Sequence, residues 1–159
     1  MNDAENPYQI RWAGVSDWTP AMNMIWKTFM KFEGNVYSKE GIENFLDFIT
    51  DKDLFHSFVQ GKYLMKVALD GDKIIGAASV RSGNFLSLLF VDESYHKQGV
   101  GRALMEEVFQ FLKEEAGEKE IIVKSAPYAV RFYEKLGFQA TGQEEHYAGI
   151  QVTPMKKVL

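Results

Sequence analysis

The chain has 159 residues, 46% of them hydrophobic, and a formal net charge of -4 from 18 Lys and Arg against 22 Asp and Glu. That length suffices for one hydrophobic core without metal or disulfide crosslinks but not for a second catalytic domain, so we expect a single domain over residues 1–159. The absence of cysteine excludes disulfides, thiolate metal sites and a cysteine nucleophile, and no basic block points to a nucleic-acid partner.

No feature of the sequence indicates a membrane segment. Residues 1–7 are polar and acidic, and the longest apolar run, residues 85–91, is far shorter than the about 20 residues that cross a bilayer. We therefore expect a cytoplasmic protein with no membrane contact and no bound metal.

The N-terminal third predicts a strand followed by two amphipathic helices. The strand covers residues 8–13, and Ser16 or Asp17 is expected to cap the first helix. The apolar side chains on one face of that helix are Met22, Ile25, Trp26 and Phe29. The second helix begins after Ser38 and repeats the same spacing at Ile42, Phe45, Leu46 and Ile49.

The middle of the chain predicts three strands. Residues 63–69 and 74–80 are joined by a hairpin turn at Asp70-Gly71-Asp72, and a second turn at residues 82–84 leads to residues 85–91. That last strand is apolar at nearly every position, which is typical of a central strand buried on both faces.

The remainder alternates helices and strands. A helix with one apolar stripe follows residue 99 and ends near Gly117, a strand covers 120–124, and Pro127 begins a helix through Leu136 that Gly137 ends. Short strands are expected at 138–142 and at 145–159, the latter broken at Pro154. This order predicts an α/β (α+β) fold with a single sheet and helices on both faces.

The junction between residues 85–91 and the next helix predicts an anion site. Gly99 and Gly101 stand just before the helix, where glycines let backbone N–H groups approach a phosphate and the helix dipole favours negative charge. A P-loop is excluded because Gly101 is followed by Arg102 and Ala103, and a dinucleotide fingerprint lacks its third glycine at Leu104. The alternative for both glycines is an ordinary tight turn.

Two motifs in order resemble the GNAT superfamily of N-acetyltransferases. Residues 96–104, His-Lys-Gln-Gly-Val-Gly-Arg-Ala-Leu, resemble its coenzyme A motif, commonly written Arg/Gln-x-x-Gly-x-Gly/Ala. Residues 127–138, Pro-Tyr-Ala-Val-Arg-Phe-Tyr-Glu-Lys-Leu-Gly-Phe, are similar to its second signature, a short helix ending in Leu-Gly-Phe. The resemblance covers residues 63–138 well. It implies a mixed, mostly antiparallel central sheet and acetyl-CoA as co-substrate, with no metal.

The resemblance also implies the residues that bind the coenzyme. They are Leu89, Phe90, Val91, His96, Lys97, Gln98, Gly99, Val100, Gly101, Arg102, Ala103, Ala126, Ala129 and Tyr133. His96 stands where the family usually has arginine or glutamine, and Ala126 where many members have asparagine. Lys97 and Arg102 have the alternative of being solvated charges.

Tyr133 is the catalytic residue that the resemblance implies, as the acid that protonates the departing thiolate. Its alternative is core packing. The strand of residues 85–91 is implied to diverge from its neighbour and to place a backbone N–H near Phe90 against the oxyanion. That strand lacks the glutamate that often serves as base, so we assign none; the candidates are Glu33, His56, Asp92, Glu93 and His146.

The predicted function is transfer of an acetyl group from acetyl-CoA to a primary amine by direct attack in a ternary complex, since no cysteine nucleophile exists. The acceptor would be a small-molecule or peptide amine, and the resemblance allows a homodimer. A non-catalytic acyl-CoA binding or sensor module is the alternative. Nine aromatic residues of the N-terminal region either fill the core or line an acceptor cleft: Trp18, Trp26, Phe29, Phe32, Tyr37, Phe45, Phe48, Phe55 and Phe58.

Overall fold

The computed structural model describes residues 7–147 and 149–159, except for the side chain of Tyr147, so the acidic residues 1–6 lie outside the described part. The helices are α1 (Trp18–Phe32), α2 (Lys39–Ile49), α3 (Lys52–Val59), α4 (Val100–Glu114) and α5 (Val130–Lys135). The strands are β1 (Gln9–Trp12), β2 (Leu64–Asp70), β3 (Lys73–Arg81), β4 (Phe85–Val91), β5 (Glu120–Ser125), β6 (Gln139–Ala140), β7 (Glu145–Tyr147) and β8 (Ile150–Val158).

The strands form one mixed sheet in the order β1-β2-β3-β4-β5-β8-β6, with β7 paired to β8. All neighbours are antiparallel except β4 and β5, which run parallel. The predicted fold class, a mostly antiparallel sheet with helices on both faces, is confirmed.

Each face of the sheet carries its own hydrophobic core. On one face, α4 and α5 pack against the sheet through side chains such as Leu104, Leu112 and Tyr133. On the other, α1 packs through Ile25 on β2 and β3, where Val67 is fully buried. The apolar stripes predicted from helical spacing therefore face inward, because burial of such stripes supplies most of the stability of a helix in a protein.

Three local expectations differ from the structure. A third helix, α3, follows α2; Asp51 caps it by accepting from the N–H of Asp53 at 2.8 Å, a cap that the sequence analysis missed. Pro154 does not break β8, because a proline loses only its N–H donor and its carbonyl still accepts from Thr141 at 2.9 Å. Residues 127–136, predicted as one helix, instead form a 3-10 turn over Pro127–Ala129 followed by α5.

The central strand β4 is interrupted by a bulge. Its pairing with β3 shifts between Ser79 and Val80, which leaves Ser87 as the additional residue. The hydroxyl of buried Tyr63 lies 2.6 Å from that of Ser79 and donates to that of Ser87 at 3.0 Å, so Tyr63 ties the bulge to the core.

Beyond the bulge, β4 diverges from β5. The two strands pair only at Phe85 with Ile122 and at Leu86 with Val123. Only Leu86 and Leu88 of β4 are fully buried. The prediction of a strand buried on both faces is therefore wrong, because the divergence opens a cavity beside its C-terminal half.

We predict that Tyr63→Phe destabilises the protein. The change leaves the buried hydroxyl of Ser79 and the half-buried hydroxyl of Ser87 without their partner, which costs about 1–3 kcal/mol of unfolding free energy. Tyr8→Phe is the control, since it removes an exposed hydrogen bond to Gln98 and should change stability by less than about 0.5 kcal/mol. Urea denaturation measures both, and equal small effects would contradict the anchoring role.

Candidate active site

The turn between β4 and α4 presents a row of unpaired backbone donors. The N–H groups of residues 97–102 find no acceptor among the described residues, and Ala103 is the first whose N–H does, at the carbonyl of Gly99, 2.9 Å away. Such donors at a helix N-terminus are satisfied by water or by an anion. The predicted anion site therefore has free donors in the structure.

The two glycines of this turn have different roles. Gly99 adopts a left-handed conformation at φ +80°, and a Cβ there would meet open space. A Cβ at Gly101 would instead lie 3.4 Å from the ring of Phe132 and 3.6 Å from Val91. Gly99 is thus required by the backbone and leaves the approach to the amides open, whereas a Cβ at Gly101 would make contacts of ordinary van der Waals length.

Three side chains of the turn are engaged with the protein. His96 Nε2 donates to the carbonyl of Val91 at 2.6 Å, which leaves the neutral ring only an acceptor at Nδ1. Gln98 accepts from Tyr8 at 2.5 Å, and Arg102 pairs with Glu106 at 3.1 Å on the exposed surface. These three side chains were predicted to contact the coenzyme, but in the structure they bond to other protein groups. The free hydrogen-bond donors of the turn are its backbone N–H groups.

A cavity of about 380 Å³ lies beside the diverging part of β4. Five of the predicted site residues line it together: Leu89, Phe90, Ala126, Ala129 and Tyr133. The other predicted residues, Val91 and 96–103, lie outside its lining, in the last position of β4 and in the following turn and first residues of α4. Of the nine N-terminal aromatics, four line the cavity: Phe29, Tyr37, Phe45 and Phe48.

One carboxylate lines this cavity, that of Glu33 at the C-terminal end of α1. Its residue is only 5% exposed, and burial raises the pKa of the carboxyl, while hydrogen bonds from the hydroxyls of Tyr37 and Tyr128 act in the opposite direction. Tyr128 stands at the rim with 64% of its residue exposed. The result is a buried acid whose proton affinity exceeds that of an ordinary glutamate.

The ring of Tyr133 packs against aromatic neighbours, while its hydroxyl remains available to form a hydrogen bond. Its ring contacts Phe132 and Phe138 at centroid distances of 5.3 and 5.2 Å, and the residue is 6% exposed. No described residue hydrogen-bonds its hydroxyl. Burial, and secondly the charge of Glu33, raise the pKa of Tyr133, so the hydroxyl stays protonated.

The other base candidates are placed elsewhere. Asp92 accepts from the N–H of Ser94 at 2.9 Å, and Glu93 pairs with Lys31 at 3.4 Å. His56 on α3 and His146 on β7 do not line the cavity. Glu33 alone among the five candidates shares the cavity with Tyr133, and no spacing in the sequence indicates this, because the two residues lie on separate elements 100 positions apart.

Two negative findings apply to the described residues. None of their helices combines the length and apolar character needed to cross a membrane. Their His, Asp and Glu side chains form no group of three suited to hold a metal ion.

We predict that Glu33→Gln stabilises the protein at pH 8. Because folding raises the pKa of Glu33, its carboxylate lowers the stability above the folded-state pKa, and this penalty fades as the pH falls toward the ordinary value of 4.5. The advantage of the variant should therefore shrink with falling pH in urea denaturation series. Glu43→Gln on the exposed face of α2 is the matched control. A Glu33→Gln variant less stable than the native chain at pH 8 would contradict the assignment.

Comparison with known proteins agrees with this geometry. Residues 33–159 match the acetyltransferase (GNAT) domain family. Over 94 residues the chain is 31% identical to the peptidyl-lysine N-acetyltransferase YjaB of Escherichia coli strain K12. The aligned stretch covers 59% of this chain and only 61% of that relative's length. A GCN5-related N-acetyltransferase structure from Rhodopseudomonas palustris superposes with a TM-score of 0.82 at 21% identity, covering 95% of both chains. PaiA N-acetyltransferase from Thermoplasma acidophilum, in complex with coenzyme A, does so at 0.81 and 18% identity, covering 96% of this chain and 99% of its own. The family match over most of the chain, together with the shared fold, establishes that this chain belongs to the GNAT acetyltransferase family.

Proposed function

We propose that the protein transfers an acetyl group from acetyl-CoA to a primary amine by direct attack within a ternary complex. One observation carries the proposal: a row of free backbone donors at the start of α4 lies at the end of the strand whose divergence opens a cavity lined by Glu33 and Tyr133. Family membership supports acetyl transfer in general, and the relative named as a peptidyl-lysine N-acetyltransferase supports an amine acceptor.

The coenzyme is proposed to bind through its diphosphate to the N–H groups of residues 97–102. Donors without protein partners and the positive end of the α4 dipole suit that charge, and the open space at Gly99 allows close approach. Lys97 adds positive charge next to it, whereas the charge of Arg102 is paired with Glu106. The acyl arm would then follow the gap between β4 and β5, where β4 beyond Leu86 has no strand partner on that side.

The thioester supplies an acetyl carbonyl that the amine attacks, forming a C–N bond as the C–S bond breaks. A free backbone N–H near Phe90 would stabilise the developing oxyanion. Direct attack needs no enzyme nucleophile, and holding both reactants in one cavity converts the encounter into an intramolecular step.

Glu33 is proposed as the general base. An amine is mostly protonated at neutral pH, and a carboxylate with a raised pKa accepts its proton more readily than an ordinary glutamate does. The hydroxyls of Tyr37 and Tyr128 hold the carboxylate in place. Glu33 thus takes the role for which β4 offers no acidic residue.

Tyr133 is proposed to donate its hydroxyl proton toward the leaving sulfur. While Glu33 is charged, it helps to raise the pKa of Tyr133. Once Glu33 has taken the proton of the amine, that charge is gone and the hydroxyl becomes more acidic, at the stage when the thiolate departs. The two groups therefore act in sequence, with the proton on Glu33 available to the solvent or to the tyrosine afterwards.

We predict that Tyr133→Phe lowers turnover about a hundredfold and leaves the affinity for coenzyme A near the native value, since the lost hydroxyl acts only on the leaving group. Thiol release from acetyl-CoA with an amine panel, and calorimetry with coenzyme A, measure the two quantities. Glu134→Gln, at the next and exposed position of α5, is the control. Unchanged turnover would reduce Tyr133 to a core residue.

We predict that Glu33→Gln also lowers turnover about a hundredfold or more, because the amide cannot accept the proton. In the native enzyme the rate should rise with pH through the raised pKa of Glu33, and this limb should be missing from the profile of the variant. Glu43→Gln serves again as the matched control. Coenzyme binding without thiol release for any amine, in the native protein, would instead support the binding or sensor alternative.

A further inference from the structure

Arg81, the last residue of β3, lines the same cavity and has no hydrogen-bond or ion-pair partner among the described residues. Its guanidinium lies over the ring of Phe85 at 4.8 Å, and its Nε is buried without a hydrogen bond. Among the described residues this is the sole buried side-chain nitrogen or oxygen left unsatisfied. No described carboxylate lies within ion-pair distance of it.

An unsatisfied buried donor costs free energy, and a charged one costs more. The packing on Phe85 holds the guanidinium in place but fills none of its donor positions. Arg81 lines the cavity without a hydrogen bond or ion pair to any described residue, and a guanidinium in this state has the properties of a ligand contact whose partner is an anion.

The other charged side chains that line the cavity have partners of their own, so none of them neutralises Arg81. Lys124 lines the cavity and pairs with Glu145 at 2.5 Å, so the carboxylate of Glu145 is used by the lysine. Glu33, the acid among the lining residues, belongs to the cluster with Tyr37 and Tyr128. The remaining lining residues are mostly apolar and aromatic, and they include Phe85, Phe45 and Phe48.

The register of β3 and β4 sets the distance between Arg81 and the proposed oxyanion donor. Arg81 is paired with Phe85, whereas the proposed oxyanion donor is near Phe90, five residues further along β4. Because the bulge at Ser87 adds one residue to β4, the same stretch of β3, from Arg81 to Ala77, is four residues long. At roughly 3.3 Å per residue this is about 13 Å of strand, of which the long arginine side chain can span part. The acceptor would therefore bridge on the order of 10 Å.

We propose that Arg81 binds a carboxylate on the acceptor, so that the acceptor is an elongated amine with a carboxylate at its far end and an apolar middle. This rests on the proposed function for the position of the amine. A free α-amino group is excluded as the acetylated nitrogen by this geometry, because it shares a carbon with its carboxylate and cannot reach both ends of the cavity.

Binding of a carboxylate without any amine tests the site independently of catalysis. Calorimetry would compare 4-phenylbutyrate with the neutral 4-phenylbutanamide, and we expect the acid to bind about tenfold more tightly or better. Arg81→Met should abolish this difference and Arg81→Lys should keep part of it. Lys62→Met, which removes the same charge from an exposed turn, should leave it unchanged. Equal affinities in the native protein, or a preference that persists in Arg81→Met, would overturn the proposal.

Thiol release separates this proposal from the proposed function. We expect kcat/KM for 6-aminohexanoate to exceed that for hexylamine about tenfold, and the two values to become equal in Arg81→Met. Release with hexylamine but no preference for the amino acid would overturn the role of Arg81 while acetyl transfer stands. Carboxylate binding that depends on Arg81, with no release for any amine, would overturn the transfer reaction and retain the anion site.

Discussion

The divergence of β4 from β5 is the constraint on which the rest of the site depends. Two parallel strands normally pair along their length, but here pairing stops after Phe85 and Leu86. The bulge at Ser87, held by Tyr63, lies at the point where pairing ends, and the strand then runs on to the start of α4. A single strand thus borders the cavity on its flank and leads to a row of free amides at its end.

The cavity has an energetic cost, because two charged side chains in its lining are wholly or partly buried. Glu33 is buried at a helix end where an ordinary solvated glutamate would be more stable, and Arg81 is kept with an unsatisfied donor. Both features are unfavourable for folding and both face the same cavity. Groups with perturbed protonation and unsatisfied polar atoms concentrate at functional sites, because substrates supply the interactions that the protein lacks there.

The two halves of the site are built differently. The proposed coenzyme half comes from one contiguous stretch, a strand followed at once by a turn and a helix, and it relies on backbone groups. The acceptor half combines side chains from α1, α2, β3, β5 and β8, which meet only in three dimensions. Backbone recognition tolerates changes of side chain, whereas the acceptor half depends on the identity of residues such as Glu33 and Arg81.

This difference explains what could be predicted. The sequence by itself determined the helices and strands with strong periodicity, the glycine turn before α4, and the family, since these depend on residues close together in the chain. It missed α3, and it misjudged the burial of β4, because neither the cap at Asp51 nor a diverging neighbour produces a periodic signal. Only the tertiary structure decided which of five candidate bases lines the cavity with Tyr133, and that Arg81 has no hydrogen-bond or ion-pair partner among the described residues. Both depend on packing between distant segments and on the burial that this packing creates.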